Sequence, residues 1–503
     1  MQENVFPKFF ALAKKLSNKV KKMIEVKELK DAVIDGVKLL EKKPEVKEVE
    51  VFASANRLNT YRICFASNVP CNGLEEPKSV EGFGLGIRVL FNDKKNGFGK
   101  EDNDLSRQGL LSAFNKAKKD RVLDAFFKGL PKPVKEKPKL SDYHDRQIMN
   151  FNEEKGMDSA YAALDSALTV FEKKKTKAFN VTGELDFLAE RMAIANSNGI
   201  KEFDESSIAW AWITSIIEGK QDVAGYAFDS ATHFKALKPE SVGRTASEKS
   251  INLVNAMHLN SGDYKVILGR QAITDLLTHI IGFELSAIDF HATPLEGKLG
   301  KKIASESFNL SDDATIKGLA GSKKVSDEGL PTTKTELVKE GILVDFLSNY
   351  YYARKHAHKE KSYSARNGFR NGGRDYASEP GITATNLVIE KGDYALNELM
   401  RELRNGVYID NIWYTYPVNG AAVGDFTATI RGDSFVFGNG EKKHALVPNT
   451  CRLNGNILDL LQGIIGLTKE SKPIIVWGAE SVIVSPEIGI KSLKIDRIAK
   501  GLY

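Results

Sequence analysis

The stretch EGFGLGIRVLFNDKKNGFG, residues 81–99, predicts a strand, a turn and a second strand. We place the turn at Asp93–Gly97, where Asn96-Gly97 supplies residues that readily adopt the left-handed conformation. Glycines at positions 82, 84 and 86 suggest a nucleotide-binding loop, but they enter a strand rather than a helix, and position 87 is isoleucine. The dinucleotide-binding fingerprint therefore fails, and the stretch indicates a glycine-rich hairpin.

The segments around this hairpin complete an N-terminal α/β domain over residues 24–130. Apolar residues at helical spacing predict a helix over 24–43. Alternating apolar and polar residues predict strands over 48–57 and 60–67. A further helix is expected at about 104–128.

Two segments flank this domain. We predict that residues 1–23 form an amphipathic helical extension, because Phe6, Phe9 and Phe10 fall at helical spacing opposite a lysine-rich face. We expect this helix to pack on the protein itself rather than on a membrane surface. PKPVKEKPK at 131–139 is a linker of prolines and lysines.

The linker leads into a central mixed α+β domain over 140–260, which opens with a helix from Met157 to Phe171. Alternating patterns then predict strands from about 178 to 260. Residues 261–503 form a β-rich, barrel-like C-terminal domain that carries one apolar helix near 270–281. Shorter helices are expected near 394–404 and 456–467, and the fold class is α+β.

Composition excludes several classes of protein. The chain has 503 residues, a net charge of +6 and three cysteines, which excludes a disulfide scaffold and fits the cytoplasm. We find no run of 18 apolar residues and no secretory signal. The N-terminal part is basic, but its lysines alternate with glutamates and form no aromatic-basic platform for nucleic acid.

Metal-binding and nucleophilic motifs are weak in this sequence. The dipeptide His-Glu does not occur, and the apolar helix has only His279, with Phe283 one turn later. His356 and His358 could share a metal if they lay on a strand, although solvated side chains are the simpler interpretation. Cys451 has no base near it in the sequence and is expected to be inert.

A long basic segment over residues 356–381, which we call the arginine loop, is rich in glycine and asparagine. Long loops in compact proteins are often functional or disordered. Arg366, Arg370 and Arg374 could bind the carboxylates of a substrate, since arginine presents a rigid fork of donors. A solvated, disordered loop is the alternative.

Five motifs follow one another along the chain. They are the glycine-rich hairpin, IANSNGI (194–200), SDEGLPTTKTELVKEGILVDFLSNYYYARK (326–355), TNLVIEKGD (385–393) and RNGVYI (404–409). Together they resemble the TldD/PmbA family, which is related to metallopeptidases and also carries the label of modulator of DNA gyrase. The resemblance covers residues 24–490, and it implies the family's fold.

The resemblance also implies that the metal site is missing. TldD-type chains carry His-Glu-x-x-x-His on the helix of the C-terminal domain and a later cysteine ligand. Alignment on Gly282 places Thr278, His279 and Phe283 at the three motif positions, and residues 416–441 contain no cysteine. That stretch resembles PmbA-type (TldE-type) chains, which lack the metal ligands.

The resemblance therefore predicts a cytoplasmic, non-catalytic PmbA/TldE-like subunit without a cofactor. It would help process peptides in a dimer with a TldD-like metallopeptidase or with a second copy of itself. One alternative is an active zinc metallopeptidase with ligands from His279, Glu284, Asp289 or His291. The other alternative is a nucleic-acid-associated regulator.

Overall fold

A computed structural model describes most of the chain. The described residues are 23–71, 73–219, 222–357, 361–476 and 481–498. The amphipathic helix expected over residues 1–22 lies outside them. Within these ranges, every helix is too short or too polar to cross a membrane.

One seven-stranded antiparallel sheet contains both the N-terminal and the central segments, with the strand order β4-β3-β2-β1-β5-β6-β7. The strands are β1 (Val46–Ala66), β2 (Lys78–Phe91), β3 (Lys95–Asp102), β4 (Val122–Leu123), β5 (Phe179–Asn196), β6 (Lys201–Ile217) and β7 (Val223–Ala231). Strands β1 and β5 pair along their length, from Glu50 opposite Asn196 to Ala66 opposite Asn180. The linker at 131–139 therefore connects two halves of one sheet.

Helices cover one face of this sheet, which we call the helical face. They are α1 (Val26–Leu40), α2 (Arg107–Lys119), α3 (Arg146–Met149), α4 (Glu153–Lys173) and α5 (Pro239–Asn252). Odd-numbered residues such as Val51, Ile87 and Phe187 point toward this face and are fully buried beneath the helices. The period-two alternation of the strands thus separates an apolar face from a second face of different chemistry.

Two helix predictions are corrected. The helix expected at about 104–128 ends at Lys119, and residues 239–252, predicted as part of a run of strands, form α5. The buried side of α5 consists mainly of small residues, including Gly243, Ala246 and Ser247. Small residues let α5 lie close to α4, but they give no apolar period that a sequence reading could detect.

The hairpin turn also differs from its prediction. It is formed by Asn92–Lys94, with Lys94 in the left-handed region (φ 67°), whereas Asn96 and Gly97 belong to β3. A Cβ atom at Gly97 or Gly99 would lie 2.0 Å from a carbonyl oxygen of α2. These glycines are therefore needed for close packing of helix on sheet rather than for the turn.

The C-terminal region consists of two larger sheets and a short two-stranded one. The nine-stranded sheet, which curls into a half-barrel, contains β8 (Gly262–Leu268), β15 (Asn405–Ile409), β16 (Asn411–Val418), β17 (Asp425–Arg431), β18 (Phe435–Gly438), β19 (Glu441–Ala445), β20 (Cys451–Asn456), β21 (Ile464–Leu467) and β24 (Ile488–Arg497). The six-stranded sheet contains β9 (Leu310–Asp313), β10 (Lys334–Lys339), β11 (Ile342–Leu343), β14 (Asn386–Ile389), β22 (Lys472–Ile474) and β23 (Val482–Ser485). The short sheet pairs β12 (Gly368–Phe369) with β13 (Gly381–Ile382).

Short helices connect the strands of these sheets. They are α6 (Arg270–Ile280), α7 (Leu285–Asp289), α8 (Tyr350–Lys355), α9 (Asn371–Arg374), α10 (Leu396–Leu403) and α11 (Ile457–Gln462). Helix α6 is the predicted apolar helix, and α10 matches the helix expected near 394–404. The helix expected near 456–467 ends at Gln462, because β21 follows it. The α+β class with a barrel-like C-terminal region is confirmed.

The second face of the seven-stranded sheet, which we call the docking face, packs against the C-terminal region. Two glycines of the hairpin make this contact possible. A Cβ atom at Gly84 would lie 2.4 Å from the ring of Tyr376, and one at Gly86 would lie 2.3 Å from the carbonyl oxygen of Tyr376. Gly82, in the same strand, has no neighbouring atom within 4 Å of its Cβ position. The glycine spacing therefore serves the packing of the two regions, not a nucleotide.

We predict that Gly86→Ala lowers the free energy of unfolding by about 1–3 kcal/mol, because the added methyl group overpacks the contact with Tyr376. Gly82→Ala is the matched control and should leave stability unchanged or slightly raised, since glycine disfavours a strand. Chemical denaturation of both variants measures the difference. Equal stability of the two variants would contradict the packing role of Gly86.

Candidate functional site

A cavity of about 940 Å³ lies between the docking face and the C-terminal region. Even-numbered residues of two strands form its first wall, because they point away from the helical face. The residues of this wall are Ile208, Trp210, Trp212 and Thr214 on β6, and Tyr226 and Phe228 on β7. The wall is mainly aromatic, which suits a ligand with apolar side chains.

Helix α6 forms the second wall. Its residues Gln271, Asp275 and His279 are spaced by four, so they share one face of the helix, and all three line the cavity. The opposite face carries apolar residues, among them Ile273 and Leu276, that belong to the core of the C-terminal region. Burial raises the pKa of the Asp275 carboxyl above its usual value.

The motif positions predicted on this helix do not come together as metal ligands. Helix α6 ends at Ile280, so Phe283 lies beyond it, where it is 2% exposed and packs in the apolar core. Thr278 stays on the helix, but a threonine hydroxyl is not among the usual ligands of zinc. His279 lines the cavity as the only motif residue with a suitable donor atom.

The alternative ligands are also dispersed. His291 is exposed and lies 2.9 Å from Glu296, and Asp289 pairs with Lys355 and His356 at 2.6 and 3.0 Å. Glu284 is the N-cap residue of α7, and burial raises the pKa of its carboxyl to about 7. Throughout the described ranges, no three His, Cys, Asp or Glu residues are grouped so that they could hold a metal ion. Among the described residues, the donor set at this cavity therefore does not fit zinc.

The remaining candidates from the sequence are His358 and Cys451. His358, the second histidine of the pair considered for metal binding, is not among the described residues. Cys451 is buried, and its burial raises the pKa of the thiol. A thiol that resists ionisation at neutral pH is a poor nucleophile.

A third wall is formed by β16 and the end of β17. The guanidinium carbon of Arg431 lies 4.4 Å from the centre of the Trp413 ring and 5.9 Å from that of Tyr226. Burial lowers the pKa of Arg431. At the cavity rim, Tyr414 and Tyr416 are 58% and 46% exposed. Cation–π contacts of this kind hold the guanidinium in place without neutralising its charge.

The predicted arginines of the arginine loop occupy buried positions. Arg374 lies 3.0 Å from Asp204 and 3.1 Å from Asp327, and its side chain is 2% exposed. Arg370 lies 3.3 Å from Glu50, and its guanidinium stacks 4.2 Å from the ring centre of Phe52. Both line the inner end of the cavity, yet their charges are used in ion pairs with the docking face.

Arg366 has a different environment. It pairs with Glu136 of the linker, whose side chain is 64% exposed, and donates a hydrogen bond of 3.2 Å to the carbonyl oxygen of Pro331. It does not belong to the cavity wall. Substrate binding by Arg366, Arg370 and Arg374 stays a prediction, and their observed partners give them a role within the fold.

These arginines belong to a larger buried charge cluster of Glu50, Arg88, Asp204, Asp327, Glu328, Arg370 and Arg374. Arg88 forms two hydrogen bonds of 2.8 Å with Glu50 and lies 3.6 Å from Glu328. The cluster contains four carboxyl groups and three guanidinium groups. Burial raises the pKa of Glu328 to about 7, so this carboxyl can hold the proton that balances the charge near neutral pH.

The sequence reading missed the residues that define the cavity. Asp275 and Gln271 lie one and two helical turns before His279, and this four-residue spacing was a detectable signal. The alternating tryptophans of β6 were recognised as a strand but not as a cavity wall. Arg431 carries no local signal, because its neighbours Trp413 and Tyr226 come from other strands.

Comparison with known families gives two matches. A model described as the PmbA/TldA metallopeptidase central domain matches residues 152–254, and a model described as the PmbA/TldA metallopeptidase C-terminal domain matches residues 261–497. Together they cover more than half of the chain. The second match includes α6 and Arg431, which line the cavity.

Individual proteins extend this similarity. The crystal structure of TldE from Thermococcus kodakarensis matches with a TM-score of 0.77 at 23% identity, covering 93% of this chain and 100% of that chain, which shows a common fold. An uncharacterized protein of Methanocaldococcus jannaschii is 26% identical over 82% of this chain and 91% of its own length. A metalloprotease of Methanothermobacter thermautotrophicus is 30% identical over 45% of this chain. The chain spans about half (48%) of the length of that relative.

We predict that Arg374→Met lowers the free energy of unfolding by about 3–5 kcal/mol, because it leaves Asp204 and Asp327 buried without their partner. Arg366→Met is the matched control in the same loop, and it should cost less than about 1 kcal/mol because its partner is exposed. Chemical denaturation measures both. An Arg374→Met protein as stable as the control would show that the buried pairs do not hold the loop.

The raised pKa of Glu328 predicts a pH dependence of stability. A carboxyl whose pKa is about 7 in the folded protein and near 4.3 when unfolded stabilises the fold at low pH, and this contribution is lost as pH rises toward 7. Glu328→Gln should therefore reduce the decrease in Tm between pH 5 and pH 8. The exposed Glu441→Gln is the control and should follow the original profile. Identical profiles for all three proteins would refute the assignment.

Proposed function

Because this chain belongs to the PmbA/TldD family of metallopeptidase-related proteins, we propose that it is a TldE-like, non-catalytic subunit that helps a TldD-like metallopeptidase process peptides. The observation that carries this proposal is a cavity at the family's motif helix whose motif positions do not carry the family's metal ligands. Helix α6 lines the cavity with His279, but Thr278 and, beyond the helix end, Phe283 occupy the two other motif positions. The scaffold for a ligand remains, while the means of activating water does not.

The cavity residues favour binding over catalysis. A zinc ion activates water by lowering its pKa to about 7, and it needs three protein ligands to do so. The side chains of this cavity instead offer aromatic surface, three guanidinium groups and the polar stripe of α6. We therefore assign to this chain the tasks of holding and orienting a peptide, and the hydrolytic step to the partner.

An exposed strand edge supports the proposed pairing. Strand β16 is the terminal strand of the nine-stranded sheet, and its exposed side carries Tyr414, Tyr416 and Val418, which is 38% exposed. Unprotected edge strands with apolar side chains tend to pair with another chain. This edge also borders the cavity, so a partner that covered it would complete the walls around a bound peptide.

We predict that co-expression with a TldD-like chain from the same genome, one with an intact His-Glu-x-x-x-His motif, yields a complex in which zinc is bound by the partner. The complex should cleave a peptide mixture faster than the partner alone. Val418→Lys should weaken co-elution, because it places a charge on the proposed interface. Val122→Lys, at an exposed valine on the edge strand β4, is the matched control and should not.

The same preparations test the alternatives. If the two chains elute separately and the partner cleaves equally fast alone, the pairing proposal is wrong. About one zinc ion per chain in this protein alone, lost in His279→Ala, would instead support an active metallopeptidase. Retention on DNA that falls steeply with salt would support the nucleic-acid-associated regulator.

A further inference from the structure

Four Lys and Arg side chains of the described residues line the cavity, and they differ in their partners. Lys323 pairs with Glu190, Arg370 with Glu50, and Arg374 with Asp204 and Asp327. The fourth is Arg431. For its guanidinium, no ion pair or hydrogen bond is formed with any part of the chain that the structure describes.

The carboxyl groups whose charges influence Arg431 are too far from its guanidinium to form an ion pair. Asp410 is already bound by Lys249, whose ammonium nitrogen lies 2.7 and 2.8 Å from its two oxygens. Asp275 influences the charge of Arg431 but lies more than 4 Å away. A half-buried guanidinium that stacks on two rings and forms no ion pair with a described residue keeps its charge and its donors available.

One polar atom beside Arg431 also lacks a partner. The ring nitrogen of Trp413 is buried and forms no hydrogen bond with any described residue. Buried polar groups in native proteins are nearly always satisfied. An unpaired cation and an unpaired donor on one wall of the cavity indicate that a ligand supplies an acceptor for both.

We propose that Arg431 binds a carboxylate of the peptide that occupies the cavity, while the neighbouring apolar side chain of that peptide packs on Trp210 and Trp212. Arginine is suited to this because its fork of donors matches a carboxylate. The inference rests on the proposed function, since it takes a peptide as the substrate class of this cavity.

The carboxylate could be the C-terminus of the peptide or an acidic side chain, and three probes separate these sources. They are acetyl-Ala-Ala-Phe with a free C-terminus, the same peptide as its C-terminal amide, and acetyl-Glu-Ala-Phe as its C-terminal amide. Isothermal titration calorimetry of the full chain measures their affinities. We expect the first or the third peptide to bind at least about tenfold more tightly than the uncharged amide.

The variants test the residue itself. Arg431→Gln should reduce this tenfold preference to about one, and Arg431→Lys should retain part of it, because lysine keeps the charge but loses the fork. Arg452→Gln is the matched control on the adjacent strand β20, outside the cavity wall, and should keep the full preference. A ratio between charged and uncharged peptides is not changed by a general loss of folded protein.

Two results would overturn the inference. One is equal binding, or no binding, of all three peptides by the unaltered chain, and the other is an unchanged preference in Arg431→Gln. Neither result bears on co-elution with a TldD-like chain or on zinc content, which test the proposed function separately. Conversely, a preference that depends on Arg431 in a chain that does not pair would support peptide binding and contradict the subunit role.

Discussion

Ion pairs buried between the seven-stranded sheet and the arginine loop hold the two regions of the molecule together. Glu50 and Asp204 project from the docking face of the sheet, and Arg370 and Arg374 reach them from the C-terminal region. Charges removed from water in this way stabilise a structure only when each keeps its partner. The pairs therefore fix the distance and the orientation between the two regions, and the cavity is the space that this arrangement leaves open.

The residue types on the docking face change along the sheet, and each part of the face makes a different kind of contact with the C-terminal region. At the hairpin, Gly84 and Gly86 allow close contact with Tyr376. In the middle of the sheet, the buried charge cluster joins the regions. On β6 and β7, aromatic side chains face a space that α6 and β16 close from the other side. Contacts at the hairpin and in the middle of the sheet thus hold the two regions together, and a cavity remains between them at β6 and β7.

Local patterns in the sequence predicted the elements but not their relationships. The hairpin strands and the strand with Trp210 and Trp212 were recognisable because period-two alternation is a local property. The burial of Arg374 was not recognisable, because its partner Asp204 lies 170 residues away in the sequence. The position of Arg431 beside the cavity was not recognisable for the same reason. The resemblance to the TldD/PmbA family, in contrast, identified α6, the helix that lines the cavity, through its motif positions.

The end of α6 shows that, among the described residues, the motif positions differ from a metal site in backbone path as well as in residue type. The helix stops at Ile280, and Phe283 turns into the apolar core of the C-terminal region. A histidine placed at position 283 would bring a polar ring into that core instead of onto the cavity wall beside His279. The path of the backbone, and not only the side chain at position 283, therefore keeps this motif position off the cavity wall.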